Sequence, residues 1–339
     1  MSAQHIVISD PLYGQTTVNE PALIDLIESA AVQRLKEISM GGIVALLGVS
    51  PPTTRFIHSV GAMLLIRYLG GSVEEQAAAL LHDVSHTSLS HVIDYVFDQV
   101  STQDFHDIEK ERYVLTTDIP SICMRHGIRF PDVLDERKYR LLEQPAPRLC
   151  ADRVDYTLRD LVPLGIASNE EAVSMLTKLV VVDGRMAFAD ADTAAKFGAV
   201  YMACSSASWL HPRNLGLYEI CGAALLLAFE KKLIDRNDIW GTDKDLWRKL
   251  VRVADDDAGV AALVAELIGG ADFERVPESQ ADLIARAKIR WIDPDVLTDA
   301  GVAPLTSLSP AYRDMVDQYR CDNREVLFLR RRERHLAPA

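Results

Sequence analysis

The chain has no apolar run long enough to cross a membrane. Its longest, such as CGAALLLAF at residues 221–229, fall far below the roughly 20 residues a helical span needs, so no membrane partner is expected. Cysteine is sparse: Cys123, Cys150, Cys204, Cys221 and Cys321 are scattered without a CxxC pair, which excludes a dense disulfide frame and reads as reduced thiols. The first residues, MSAQHIVISDPLYG, lack the basic stretch and apolar core of a secretory signal, so a cytoplasmic location is the expectation. Positive charge is also in short supply. A net charge of −13 argues against nucleic acid as a partner, because phosphate neutralisation needs a basic footprint. The exception is FLRRRERHL at 328–336, whose Arg330, Arg331, Arg332 and Arg334 read as a solvated tail or helix face.

Histidine is scarce too, with nine in 339 residues, yet three of them fall in LLHDVSHTSLSH at 80–91. The composition around that cluster is ordinary for a globular protein, at 48% hydrophobic and 25% charged. Helical periodicity dominates. Residues 21–38 predict an amphipathic helix with Pro21 in its first turn, and 58–70 a second closed by Gly70 and Gly71. A third starts at Ser72, with Glu75 at capping-box spacing, and delivers His82 and Asp83 at its C-terminal end. Helical patterns return at 104–117, 149–162 and 192–235. Residues 178–190 predict a hairpin turning at Asp183–Gly184. After about 236 the pattern is mixed, with a strand near EVLFLRR. The expected fold is mainly α: a helical bundle over 1–235 with a small β-hairpin, and a mixed α/β extension over 236–339 packed on it.

A lone His-Asp pair means little, but its neighbours change that. His58 opens the preceding helix in RFIHSVG, and Asp152 and Asp155 interrupt an apolar pattern in LCADRVDYTLRD, where an unpaired buried carboxylate would be costly. Two imidazoles and two carboxylates from three helices make a mixed nitrogen and oxygen set suited to Mn²⁺, Fe²⁺, Ni²⁺ or Zn²⁺, with positions left open for water and substrate. His86, His91 and Asp94 read as outer groups or acid/base groups facing whatever the metal binds.

The ordered series DPLYG (10–14), QRL (33–35), Gly41–Gly42, RFIHSVG (55–61), HDVSHTSLSH (82–91) and ADRVDYTLRD (151–160) resembles the HD-domain metal-dependent phosphohydrolases. The likeness is strongest to the branch of SAM-and-HD-domain deoxynucleoside triphosphate triphosphohydrolases, and it covers about residues 5–235. It implies one divalent ion, Mg²⁺ included, on His58, His82, Asp83 and Asp152. It further implies that His86 contacts or cleaves phosphate, that His91 lies near the phosphates with Asp94 orienting an imidazole, and that His106 joins the site. Arg55 and Arg153 would face phosphate oxygens, and Tyr156 and Asp160 the sugar. Members of the family tend to form homo-oligomers. The implied reaction is dNTP hydrolysis to deoxynucleoside and triphosphate. A 5′-nucleotidase or other phosphomonoesterase on the same metal site is the enzymatic alternative, and a non-catalytic nucleotide-binding regulator the alternative from another class.

Two departures bear on substrate. Ser39–Met40 stands where the family places Gln-Leu, and YMACSSASWLHPRN (201–214) has no Lys or Arg before Arg213. The cationic grip expected for outer phosphates is therefore thin. One divalent ion and two arginines balance only part of a triphosphate, whereas a monophosphate needs less.

Overall fold

The computed structural model describes residues 5–332. A hairpin of strands Ile6–Asp10 and Gly14–Val18 comes first, its turn held by Asp10 Oδ1, which accepts from the amides of Leu12 (2.9 Å) and Tyr13 (3.2 Å). The helix expected over 21–38 is divided into Pro21–Glu28, Ala30–Arg34 and a 3₁₀ turn, Leu35–Glu37. Ser29 causes the first break. Its hydroxyl donates to Leu26 C=O at 2.7 Å and accepts from Val32 N–H at 3.3 Å, closing one helix and capping the next.

The helix Arg55–Tyr68 starts three residues before the expected 58, because the Thr54 side chain caps it through Ile57 N–H. Ser72 caps Val73–Leu81 through Glu75 N–H, but the capping box is only half formed: the Glu75 carboxylate turns away to accept from Leu141 N–H. That helix ends at Leu81 with His82 as its C-cap, and the chain then passes into turns. Further helices cover Phe105–Val114, Ala151–Leu161, Ala191–Cys204 and Pro212–Glu230, the last two separated by a π-type turn at Ser205–Trp209.

The predicted hairpin is Leu179–Val182 with Arg185–Phe188, and Asp183 and Gly184 both take positive φ, as a type I′ turn requires. Strands Asp295–Thr298 and Gly301–Pro304 extend it to four strands. A separate sheet places Val326–Arg331 between Phe273–Arg275 and Leu283–Arg286. The arginine run is therefore strand, not tail or helix, as far as it is described. Arg330 pairs with Glu274, Arg331 with Glu266 and Arg332 with Asp272, while Arg334 lies outside the described residues.

Two apolar clusters form the core. Leu80, Leu81 and Val84 belong to the first, with Met63, Val154, Phe188 and Tyr312; Leu89 and Val92 belong to the second, with Leu217, Leu250 and Phe273. Each such buried side chain contributes about 1.5–3 kcal/mol. LLHDVSHTSLSH thus runs from one core to the other, and its polar residues sit at the junction. Residues after 236 enter both cores. All five cysteines are free thiols, and among the described residues no helix is long and apolar enough to cross a membrane.

Candidate active site

Three helix ends converge. The first turn of Arg55–Tyr68 brings His58, the C-terminal end of Val73–Leu81 brings His82 and Asp83, and the first turn of Ala151–Leu161 brings Asp152. His58 Nε2 lies 3.1 Å from His82 Nε2, 3.0 Å from Asp152 Oδ1 and 3.8 Å from Asp83 Oδ2. His82 Nε2 lies 3.6 Å from both Asp83 Oδ1 and Asp152 Oδ1. Donors bound to one divalent ion at about 2.0–2.2 Å are roughly 3–3.6 Å from one another, so this donor set fits a single metal. The outer nitrogens are already committed: His82 Nδ1 donates to Ala79 C=O (2.6 Å) and His58 Nδ1 to Asp155 Oδ2 (2.8 Å). Both imidazoles therefore turn Nε2 inward. Burial depresses the basicity of His82, but Asp83 and Asp152 outweigh it and push its pKa up to about 10.

Asp155 lies behind the candidate donors and holds His58 in place. It accepts from His58, from Tyr13 O–H (2.8 Å) and from Arg159 Nε (2.8 Å), and Arg159 reaches on to Asp10 (2.8 Å). The DPLYG turn is in this way tied to the metal centre. Gly61 is needed beside it, because a Cβ there would lie 2.0 Å from the Arg159 guanidinium and 2.2 Å from Asp155 Oδ1.

Beyond Asp83 the chain forms a tight non-helical loop, so His86 does not follow His82 by one helical turn. Leu89 and Ser90 both adopt positive φ, a conformation costing about 1–3 kcal/mol each for residues other than glycine. Asp243, at the start of helix Asp243–Asp256, holds the loop by accepting from Leu89 N–H (2.7 Å) and Ser39 N–H (2.8 Å). Gly42 lets the backbone of Leu89 approach; a Cβ there would meet Leu89 C=O at 2.2 Å.

The loop builds a wall of imidazoles. His86 stacks on His106 with centroids 3.8 Å apart, and His91 meets His86 edge-on at 5.0 Å. His91 Nδ1 bonds Asp94 Oδ2 at 2.8 Å. Burial and the nearby Arg55 keep His86 and His91 uncharged at neutral pH, and burial brings His106 down to about 4. Burial also lifts Asp94 to about 7. His86 Nε2 is buried without a hydrogen-bond partner, 3.3 Å from Asp83 Oδ1 but poorly aligned to it.

A cavity of about 450 Å³ is lined by His82, Asp83 and Asp152 of the candidate donor set together with His86, His91 and His106. All four residues expected to face substrate line it as well, each already engaged. Arg55 pairs with Asp83 at 2.7 Å, and Arg153 with Glu143 at 2.9 Å and with Gln144 C=O at 2.6 Å. Tyr156 shares a 2.6 Å hydrogen bond with Tyr201, and Asp160 accepts from Trp209 Nε1 at 3.0 Å. Asp94 stands behind His91.

No family model matches the chain. The metal-dependent phosphohydrolase cns2 of Cordyceps militaris is 36% identical over 324 residues, covering 93% of this chain and 92% of that protein. This chain belongs to the HD-type metal-dependent phosphohydrolases. A phosphohydrolase from Bacteroides thetaiotaomicron has the same fold, with a TM-score of 0.67 at 19% identity over 96% of this chain and all of that one. The zebrafish deoxynucleoside triphosphate triphosphohydrolase SAMHD1 is 24% identical over 214 residues, 48% of this chain and 34% of that protein.

Several residues of this phosphohydrolase's site were not identified from its sequence. Tyr13, Arg159 and Gly61 had a signal in the DPLYG, RD and HSVG motifs; their role as supports of His58 is visible only once 142 residues of separation are closed. Asp243 and the segment Lys288–Ile289–Arg290–Trp291, which also lines the cavity, carry no motif at all.

Proposed function

We propose that this phosphohydrolase cleaves a phosphate ester of a nucleotide. The observation that carries the reading is that His82, Asp83 and Asp152, which converge with the buried His58, line one cavity with the aromatic rings of Tyr156, Tyr201, Trp209 and Trp291. Such rings offer flat apolar faces to a base. His58, His82, Asp83 and Asp152 hold the divalent ion, which when bound supplies Lewis-acid polarisation of a phosphoryl oxygen and acidification of water.

The protein's own groups do the rest. Neutral His86, its Nε2 unpartnered, accepts a proton from the attacking water or holds that water in line. His91 is fixed by Asp94, and its other nitrogen serves the leaving oxygen. His106, stacked on His86, keeps that ring in place. Arg55 offsets the charge of Asp83 and turns its remaining donors toward phosphate, as does Arg153 from the opposite side. Tyr156 and Asp160 face the sugar. In this reading residues 1–235 carry the HD machinery, 236–339 complete the pocket, and the chain assembles with copies of itself.

A second reading, dNTP hydrolysis with release of triphosphate, is supported by the similarity to the zebrafish enzyme. Purified protein supplied with Mn²⁺, Mg²⁺, Fe²⁺ or Ni²⁺ and a panel of dNTPs, NTPs and NMPs separates the two, with phosphate and triphosphate read independently. Absence of turnover across that panel by metal-loaded protein would remove the nucleotide reading.

A further inference from the structure

Residues 201–212 carry no Lys or Arg, and the cavity obtains its positive charge elsewhere. Four Lys and Arg side chains line it: Arg55, Arg153, Lys288 and Arg290. The first two are neutralised by Asp83 and Glu143. Lys288 and Arg290 meet only neutral acceptors. Lys288 donates to Thr102 C=O at 2.9 Å, and Arg290 to the side-chain oxygen of Gln103.

The segment carrying them is anchored at both ends. Arg286 pairs with Asp98 at 3.2 Å while its amide donates to Glu219 (3.1 Å) and its carbonyl accepts from Tyr95 O–H (3.3 Å). Downstream, Asp293 N–H donates to Pro147 C=O at 2.8 Å, and Trp291 is covered by Arg320. Between these ties, residues 288–291 line the cavity. Facing it, the loop at 102–104 presents Gln103 in a positive-φ conformation that costs about 1–3 kcal/mol, and thereby sets the amide that Arg290 holds. Arg290 lines the same cavity as His91, Tyr156 and Tyr201, and its charge is felt by all three.

We propose that Lys288 and Arg290 are a phosphate-docking pair that selects a phosphomonoester dianion as substrate. Exchanging a carbonyl and an amide oxygen for phosphate oxygens converts two neutral contacts into charge-assisted ones. Lys288 and Arg290 match the roughly −1.5 to −2 of a monoester at pH 7 without calling on Arg55 or Arg153, which Asp83 and Glu143 already engage. This rests on the nucleotide-phosphohydrolase reading and chooses between its two products.

The test uses the full-length, metal-loaded protein with inorganic phosphate as probe, followed by calorimetry at low ionic strength. Lys288→Gln and Arg290→Gln should each weaken phosphate binding about tenfold, and Arg290→Lys should restore most of the loss. With a nucleoside monophosphate the Gln variants should raise KM and leave kcat unchanged. Lys288 is exposed, so its variant keeps the measurement available if Arg290→Gln does not fold. Unchanged phosphate affinity in the Gln variants overturns the docking pair even if nucleotides are hydrolysed. Weakened phosphate binding without turnover of any nucleotide leaves the pair standing and overturns the nucleotide reading. A parent enzyme with higher kcat/KM on triphosphates than on monophosphates overturns the monoester preference.

Discussion

Replacing Gly61 by alanine should damage the metal centre without touching a ligand. The added Cβ would lie 2.0 Å from the Arg159 guanidinium and 2.2 Å from Asp155 Oδ1, whereas ordinary contact starts at 3.4 Å, so both groups must retreat by roughly 1 Å or more. Asp155 cannot do so freely, because three bonds of 2.8 Å hold it to His58, Tyr13 and Arg159. A displacement of that size takes the His58 bond out of hydrogen-bonding range and frees the imidazole to rotate. Overpacking of this kind costs about 1–3 kcal/mol of stability, and loss of an outer partner of a ligating histidine lowers metal affinity about 10–100-fold. Calorimetric titration of chelator-treated Gly61→Ala with Mn²⁺, paired with urea denaturation, reads both quantities. Parent-like metal affinity in a folded Gly61→Ala protein would refute the argument that Asp155 sets His58 through this packing.

Three further outcomes follow from the same geometry. His86→Ala should lower kcat about 10²–10⁴-fold with bound metal unchanged, because its imidazole is not one of the four converging donors; loss of metal on substitution would assign it to the ligands instead. Asp243→Ala strips the acceptor from two amides, Leu89 and Ser39, at about 1–3 kcal/mol each, and lets the strained 86–91 loop relax; urea midpoints and kcat should fall together, and a variant stable but fully active would show that the clamp is dispensable. Metal affinity should climb with pH. In chelator-treated protein His82 has its pKa raised from about 6.5 to about 10, so its contribution to stability is complete below about pH 6.5 and is lost as pH rises toward 10. Metal must displace that proton, so the Mn²⁺ dissociation constant should decrease steadily between about pH 6.5 and 9 with proton release; a flat profile contradicts protonation of the free site.

What was legible in the sequence is what short motifs and local bonds determine. His58, His82, Asp83 and Asp152 each sit at a helix end whose cap or turn is nearby in sequence, as with Thr54 and Ser72, so the donor set could be proposed before any fold was known. The Asp183–Gly184 turn is legible for the same reason. Ser29 is the counterexample: apolar periodicity runs through it, and only its competing hydroxyl bonds divide the predicted helix. The supports were hidden by distance. Nothing local in Tyr13 or Asp243 announces a partner 142 or 154 residues away. Residues 201–212 carry no Lys or Arg, and the pocket's unpaired positive charge, Lys288 and Arg290, arrives from a segment without a motif.

The central claim is that one divalent ion on the His58, His82, Asp83 and Asp152 donors drives phosphoester hydrolysis. Metal content and nucleotide turnover, measured side by side on the purified parent, His82→Ala and Asp83→Ala, address it most directly. The parent should carry about one ion per chain and release phosphate, and both variants should lose the ion and fall to background while remaining folded. Turnover retained in a variant stripped of metal would contradict the account.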